Sequence, residues 1–194
     1  MFRSTTGSEQ LMVPQLQTQR LLLKPLELAH APEYTKHFVD YEVIRHLSEQ
    51  VPWPYPEGGV EDFLKNIVLP RQGDGRWAWG IFLRSNPDAL IGGVDLWRKG
   101  CPEHRGFWLG RAFWGNGYMS EACDAVTEFA FEELGFETLV FSNALGNLRS
   151  RRIKEKAGAR FVGLRDARFV SEEYTQSELW ELTRESWLPG RRPQ

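Results

Sequence analysis

Between Phe107 and Ala122 the chain reads FWLGRAFWGNGYMSEA, a strand-like run that passes through two closely spaced glycines into a long amphipathic segment. No other stretch constrains the fold as tightly. Gly115 and Gly117 lack Cβ, so the backbone can turn sharply and be approached closely there. The segment that follows carries Ala122, Val126, Phe129, Ala130 and Leu134 on one helical face, and Gly135 stands where a helix stop belongs. The first N–H groups of such a helix have no internal partner and lie at the positive end of its dipole. A strand that feeds this junction therefore presents unpaired donors to an anion, and the geometry is that of a pyrophosphate cradle. The same spacing is also that of an ordinary turn. It is neither the GxGxxG fingerprint nor the GxxxxGK[ST] loop, and no acidic residue holds the ribose position of a nicotinamide site.

The junction sits within a regular order of elements. Residues 20–26 read as a strand ending near Pro25, 30–38 as a short helix and 41–47 as a second. Pro52, Pro54 and Pro56 break the chain into an extended loop that holds Trp53 and Tyr55. Pro56-Glu57 opens a helix with Val60, Phe63, Leu64, Ile67 and Val68 at helical spacing. Three strand-like runs follow, at 77–83, 90–97 and 105–111, with turns at Asn86-Pro87-Asp88 and Lys99 to Pro102. Such short connections predict an antiparallel meander. Beyond the long helix come a strand (138–143), a helix (148–156) closed by Gly158, and two strands (159–164 and 177–183). The order predicts a mixed α/β (α+β) fold in a single domain over 17–188, with loose ends at 1–16 and 189–194.

Composition narrows the function classes. With 26% charged and 41% apolar residues in 194, the chain can bury a core and stay folded. The formal net charge of −2 gives no global attraction to nucleic acid. No stretch approaches a membrane span, and the polar start lacks the apolar core of a secretory signal. Cys101 and Cys123 are not at metal-ligand spacing, so neither a disulfide framework nor a bound metal is expected. These features predict a cytoplasmic enzyme or binding protein.

Two strings resemble a known family. Trp114 to Ala122, WGNGYMSEA, is similar to the signature of the GNAT superfamily of N-acetyltransferases. It is closest to the branch that acetylates N-terminal alanines of ribosomal proteins. Downstream, Asn147 to Ala159 (NLRSRRIKEKAGA) resembles that branch's second signature, an Asn, a Ser three residues on, then a Lys-x-Gly ending. Thr18 to Leu23 and Ala89 to Val94 also match its usual look, so the resemblance spans roughly residues 17 to 188. Two positions depart from the pattern. Ala112 stands where the superfamily usually has Gln or Arg, and Ala159 stands where an aromatic residue is usual.

The resemblance implies a GNAT-like fold: a central, mostly antiparallel sheet of about seven strands, splayed at a cleft that takes acetyl-CoA as co-substrate. By analogy, backbone groups of Leu109, Gly110 and Arg111 pair with the pantetheine arm. The N–H groups of Trp114, Gly115, Asn116, Gly117, Tyr118 and Met119 hold the pyrophosphate, and the Asn147 side chain bonds the arm from the other wall. Arg149 and Arg152 are expected at the phosphates of the CoA nucleotide, while Lys154 is read as part of a solvated face. The implied chemistry is direct attack of an amine on the thioester. Ser150 is the candidate general acid and, equally, a helix-start residue that satisfies backbone donors. Asp95 is the candidate base, with Glu103 and His104 as alternatives. Trp53 and Tyr55 are expected on the acceptor wall, where aromatic rings beside acidic residues suit a cationic amine. The acceptor is a peptide N-terminus or a small amine; a non-catalytic CoA-binding protein is the rival class. A homodimer, frequent among relatives, is compatible with this reading.

Overall fold

The computed structural model describes residues 12–98 and 103–187. Residues 1–11 of the end expected at 1–16, the end at 189–194, the turn at 99–102 and Cys101 lie outside them; within 12–16, Leu16 is in a strand and the Pro14 carbonyl accepts from Trp79 Nε1 at 2.7 Å. The fold is built on β3 (Arg76–Leu83), whose residues are buried on both faces except the last. A run as apolar as WAWGIF can be stable only between two covering layers. β2 (Leu21–Pro25) pairs on one side of it, and β4 (Asn86–Trp97) on the other. β1 (Leu16–Gln17) and β5 (Arg105–Leu109) complete a five-stranded antiparallel sheet in the order β1-β2-β3-β4-β5. β4 starts earlier than expected. The hairpin turns at residues 84–85, so Asn86, Pro87 and Asp88 belong to the strand.

One layer is α1 (Ala31–Phe38), α2 (Tyr41–Ile44) and α3 (Gly59–Phe63), the last continued by a π turn over Leu64–Val68. α2 stops short of the expected Leu47. This layer packs Tyr34, Phe38, Ile44 and Leu64 on Ala78, Phe82, Leu90 and Trp108. The other layer is α4 (Tyr118–Glu132). Its face of Ala122, Val126, Phe129 and Ala130, with Leu134 just past its end, is buried as predicted, against Leu21, Leu23, Trp79 and Ile81. Gly92 and Gly93 let β5 come in close. A Cβ on Gly92 would meet the Trp108 carbonyl at 2.6 Å, and one on Gly93 the Trp108 indole at 2.8 Å.

β6 (Thr138–Ala144), β7 (Arg160–Asp166) and β8 (Gln176–Thr183) form a second antiparallel sheet in the order β6-β8-β7, with α5 (Leu148–Lys156) between β6 and β7. The sheets meet where the His104 N–H donates to the Val140 carbonyl at 2.8 Å and the Val140 N–H donates to His104 Nδ1 at 2.8 Å. Beyond this point β5 and β6 separate. Among the described residues eight antiparallel strands, splayed here into two sheets, bear out the expected splayed sheet of about seven, the short β1 being the addition.

Glu121, in the first turn of α4, ties that helix to the start of β2. It accepts from Thr18 Oγ1 at 2.6 Å, from the Arg20 N–H at 2.8 Å and from Arg20 Nε at 2.7 Å. Burial alone would raise its pKa, but these hydrogen bonds outweigh it and hold the carboxyl below its usual value. A carboxylate so shifted adds stability above the unfolded pKa, and that stability is lost as pH falls through the folded pKa. Glu121→Gln is expected to cost about 1–3 kcal/mol at pH 7. It should also flatten the loss of stability on acidification below about pH 4.5. Urea denaturation of both chains across pH 3–7 checks this.

Candidate active site

The separation of β5 and β6 opens a cleft of about 550 Å³. Its backbone chemistry follows from strand register. The Gly110 N–H donates to the Ile91 carbonyl and the Trp97 N–H to the His104 carbonyl. Alternation in an antiparallel pair then turns the backbone groups of Phe107 and Leu109 away from β4 and into the cleft. On β6 the Leu145 N–H donates to the Gln176 carbonyl, which turns the groups of Ser142 away from β8 in the same way. The Leu109 carbonyl accepts from Trp114 Nε1 at 2.8 Å; its N–H stays available. Gly110, by contrast, spends its N–H on β4, so the expected pairing surface shifts to Phe107 and Leu109.

The chain leaves β5 through a short 3-10 turn at Arg111–Phe113 and enters α4 over Gly115 and Gly117, at φ 81° and 77°. Only glycine holds these left-handed angles without strain. The first α4 bond runs from the Glu121 N–H to the Gly117 carbonyl, and no side chain caps the helix. The N–H groups from 115 to 120 therefore meet no acceptor among the described residues. Asn116 braces the turn by donating to the Phe113 and Trp114 carbonyls, both at 3.1 Å. An added Cβ at Gly115 would meet nothing within 4 Å, so the cradle is open.

The cleft carries positive charge. Arg105, Arg149, Arg152, Lys156, Arg165 and Arg168 line it, against the carboxylates of Glu42 and Glu103. Glu42 is paired with Arg45 and Glu103 with Arg165. The Arg149 guanidinium lies 3.7 Å from the centre of the Trp114 ring, a cation–π contact that leaves its in-plane N–H edge free. Half-buried His46 also lines the cleft. Burial, then the nearby Arg45 and Arg149 charges, lower its pKa, so it is neutral at pH 7.

At the inner end Asn147 caps α5, its Oδ1 accepting from the Ser150 N–H at 3.2 Å. Ser150 lines the cleft, and its hydroxyl accepts from Lys154 Nζ at 2.8 Å. Lys154 is 1% exposed, which corrects the solvated-face reading. Burial, then repulsion from Arg105, lower its pKa to about 7. Arg105 Nε and Nη2 and Asn143 Oδ1 are buried without a hydrogen-bond partner in the protein. Both residues line the cleft, so these atoms are polar sites that a ligand or solvent must satisfy.

Of the residues singled out in the sequence, Leu109, Trp114, Gly115, Gly117, Tyr118, Met119, Asn147, Arg149, Ser150 and Arg152 line one cleft. Others do not. Asp95 faces the buried Arg76 guanidinium, to which it is paired, and lies outside the lining. Burial raises its pKa against the pull of Arg76. Arg111 is exposed and paired with Asp40 at 3.2 Å. Trp53 lies tilted against Tyr41 at 5.3 Å and Tyr55 meets Phe38 edge-to-face at 5.4 Å, both outside the lining. The wall they were assigned to consists of Glu42, Val43, His46, Leu47 and Ser48. It is held by backbone bonds such as Val170 N–H to the Leu47 carbonyl and Ser171 N–H to the Arg45 carbonyl. Sequence reading missed Arg105, Asn143, His46 and the buried state of Lys154. The one available signal was Ser150 and Lys154 lying four residues apart, on the same helical face as Ile153 and Ala157.

No group of His, Cys, Asp and Glu able to hold a metal occurs among the described residues, and no helix there is long and apolar enough to cross a membrane. The family model described as the acetyltransferase (GNAT) domain matches residues 20–160. A relative from Aspergillus fumigatus, FsC-acetyl coenzyme A-N(2)-transacetylase, is 26% identical over 93% of this chain and 80% of its own. A GNAT-family acetyltransferase from Bacillus anthracis shares the fold with TM-score 0.72 and 21% identity, over 89% of this chain and 99% of its own. RimL, a ribosomal L7/L12 α-N-protein acetyltransferase solved with coenzyme A, shares it with TM-score 0.73 and 15% identity, over 89% and 97%. With a splayed sheet, an uncapped glycine turn and a family match over most of its length, this chain belongs to the GNAT acetyltransferases.

Proposed function

We propose that the chain moves an acetyl group from acetyl-CoA to the α-amino group of a peptide or protein N-terminus. The observation that carries the donor side is the continuity of unpaired backbone groups. They run from Phe107, Leu109 and Ser142 to the free N–H groups at 115–120. An amide-bearing pantetheine arm can pair along the first part and a pyrophosphate sit on the second. The unpartnered Arg105 N–H groups and the excess of lining cations fit a polyanionic donor. Arg149, fixed on Trp114, and Arg152 hold the nucleotide phosphates.

The amine attacks the thioester carbonyl in its neutral form. A C–N bond forms, the amine gives up a proton, the C–S bond breaks and the departing thiolate takes a proton. The Leu109 N–H stabilises the oxyanion. His46 accepts the amine proton: it is neutral and lines the cleft, whereas both lining carboxylates are bound to arginines. Ser150 delivers the proton to the thiolate. This base also favours the acceptor class. A histidine is a weak base and can assist only an amine that is already partly neutral at pH 7, as an α-amine near 7.7–8.0 is and a lysine-like amine near 10.4 is not. A small-amine acceptor is the second reading, favoured by the relative that acetylates FsC and aligns with nearly the whole chain.

Thiol release from acetyl-CoA with Ala- or Ser-starting peptides, against a panel of small amines, separates the two. Peptide turnover is expected, and turnover of small amines alone overturns the first reading. Gly117→Asp is expected to raise the Kd for acetyl-CoA at least tenfold more than Gly117→Asn, which carries the same strain without the charge; titration calorimetry measures both. His46→Gln should lower kcat by about 10²-fold or more and leave an ascending pH limb set by the amine alone.

A further inference from the structure

The buried ammonium beneath Ser150 has no ion-pair partner among the described residues, and both of its hydrogen bonds go to one residue. Lys154 Nζ donates to Ser150 Oγ at 2.8 Å and to the Ser150 carbonyl at 3.4 Å. The groups around it are Arg105 on β5, Cys123 on α4 and Glu178 on β8, with the Phe107 ring 5.7 Å away. Glu178 is itself engaged by Asn143 Nδ2 at 2.9 Å and Arg151 Nη1 at 3.3 Å. Charge burial on this scale is costly, and α5 positions that face the core otherwise carry Ile153 and Ala157. A leucine or methionine would serve packing alone.

We propose that Lys154 is a positioning residue and proton reservoir for Ser150, forming a Ser–Lys relay that protonates the thiolate leaving group. This rests on the acetyl-transfer reading of the cleft. An ammonium has three donors and no acceptor, so the Ser150 oxygen accepts from it and the Ser150 O–H is left to point into the cleft. A serine hydroxyl alone is far too weak an acid to protonate a thiolate whose thiol has a pKa near 8.5. The relay removes that obstacle. As the C–S bond breaks, the Ser150 proton passes to sulfur and a Lys154 proton passes to the Ser150 oxygen. Serine ends unchanged, lysine ends neutral, and the proton that the amine gives to His46 passes to solvent, from which lysine regains its charge. The lowered pKa, near 7, makes transfer to a thiolate downhill.

The test uses the full chain as wild type, S150A, K154M and the double variant. Lys154→Met keeps a long unbranched side chain and removes the proton. Expected are a kcat at least tenfold lower for K154M, an acetyl-CoA Kd within twofold of wild type, and a double variant no slower than S150A. Wild-type kcat should fall at high pH, and S150A should lack that limb; this arm decides the question if K154M does not fold. An unchanged kcat in K154M, losses that multiply in the double variant, or a high-pH limb retained in S150A overturns the proposal.

A last arm needs no acceptor. A lysine whose folded pKa lies below its unfolded one penalises folding at low pH, so wild-type stability should rise relative to K154M between about pH 7 and pH 10. A constant difference overturns the relay even if the wild type turns over none of the acceptors. That absence of turnover would itself refute the transfer reading, so the two failures are distinct.

Discussion

His104 and Val140 exchange the two hydrogen bonds that join the sheets, and the cleft exists because that exchange is not repeated one residue further on. A backbone pair there would begin a ladder and propagate. An imidazole nitrogen takes the place of one carbonyl, so the contact is closed on itself. Burial, foremost, lowers the His104 pKa, which keeps Nδ1 free to accept. On one side of this joint lie the packed layers; on the other, β5 and β6 carry unpaired peptide groups into a space lined by arginines.

The second constraint is that the glycine turn is anchored from three directions. Asn116 closes it internally, and Arg20 donates to the Asn116 carbonyl at 2.9 Å from the start of β2. Arg149 presses on Trp114 from α5, so residues from the two separate signature strings touch directly. The donors at 115–120 are thereby aimed before any ligand arrives, and little ordering remains to be done on binding.

What was legible in the sequence was local. The turn, α4 and α5 announce themselves through glycine spacing and helical period, and the strands through alternation between turn residues. What failed was set by distant partners. Asp95 is held by Arg76, nineteen residues upstream, and no strand pattern reveals that. Trp53 and Tyr55 read as cleft aromatics because the loop is stiff and polar around them. The wall was instead decided by residues 45–49 meeting 168–171 across the molecule. Lys154 looked like one of several surface cations because α5 is basic on several sides, and only the covering strands and α4 show which of those charges is enclosed.

The joint at His104 has a further consequence for edge-to-edge association between strands. Unpaired strand edges recruit other chains, and most sheets carry theirs on the rim. Here the free edges of β5 and β6 face each other inside the molecule, behind α4 and α5. A narrow ligand can reach them, but a strand from a neighbouring molecule, with side chains on both faces, cannot. The same opening that supplies hydrogen bonds for binding thus screens them from edge-to-edge assembly.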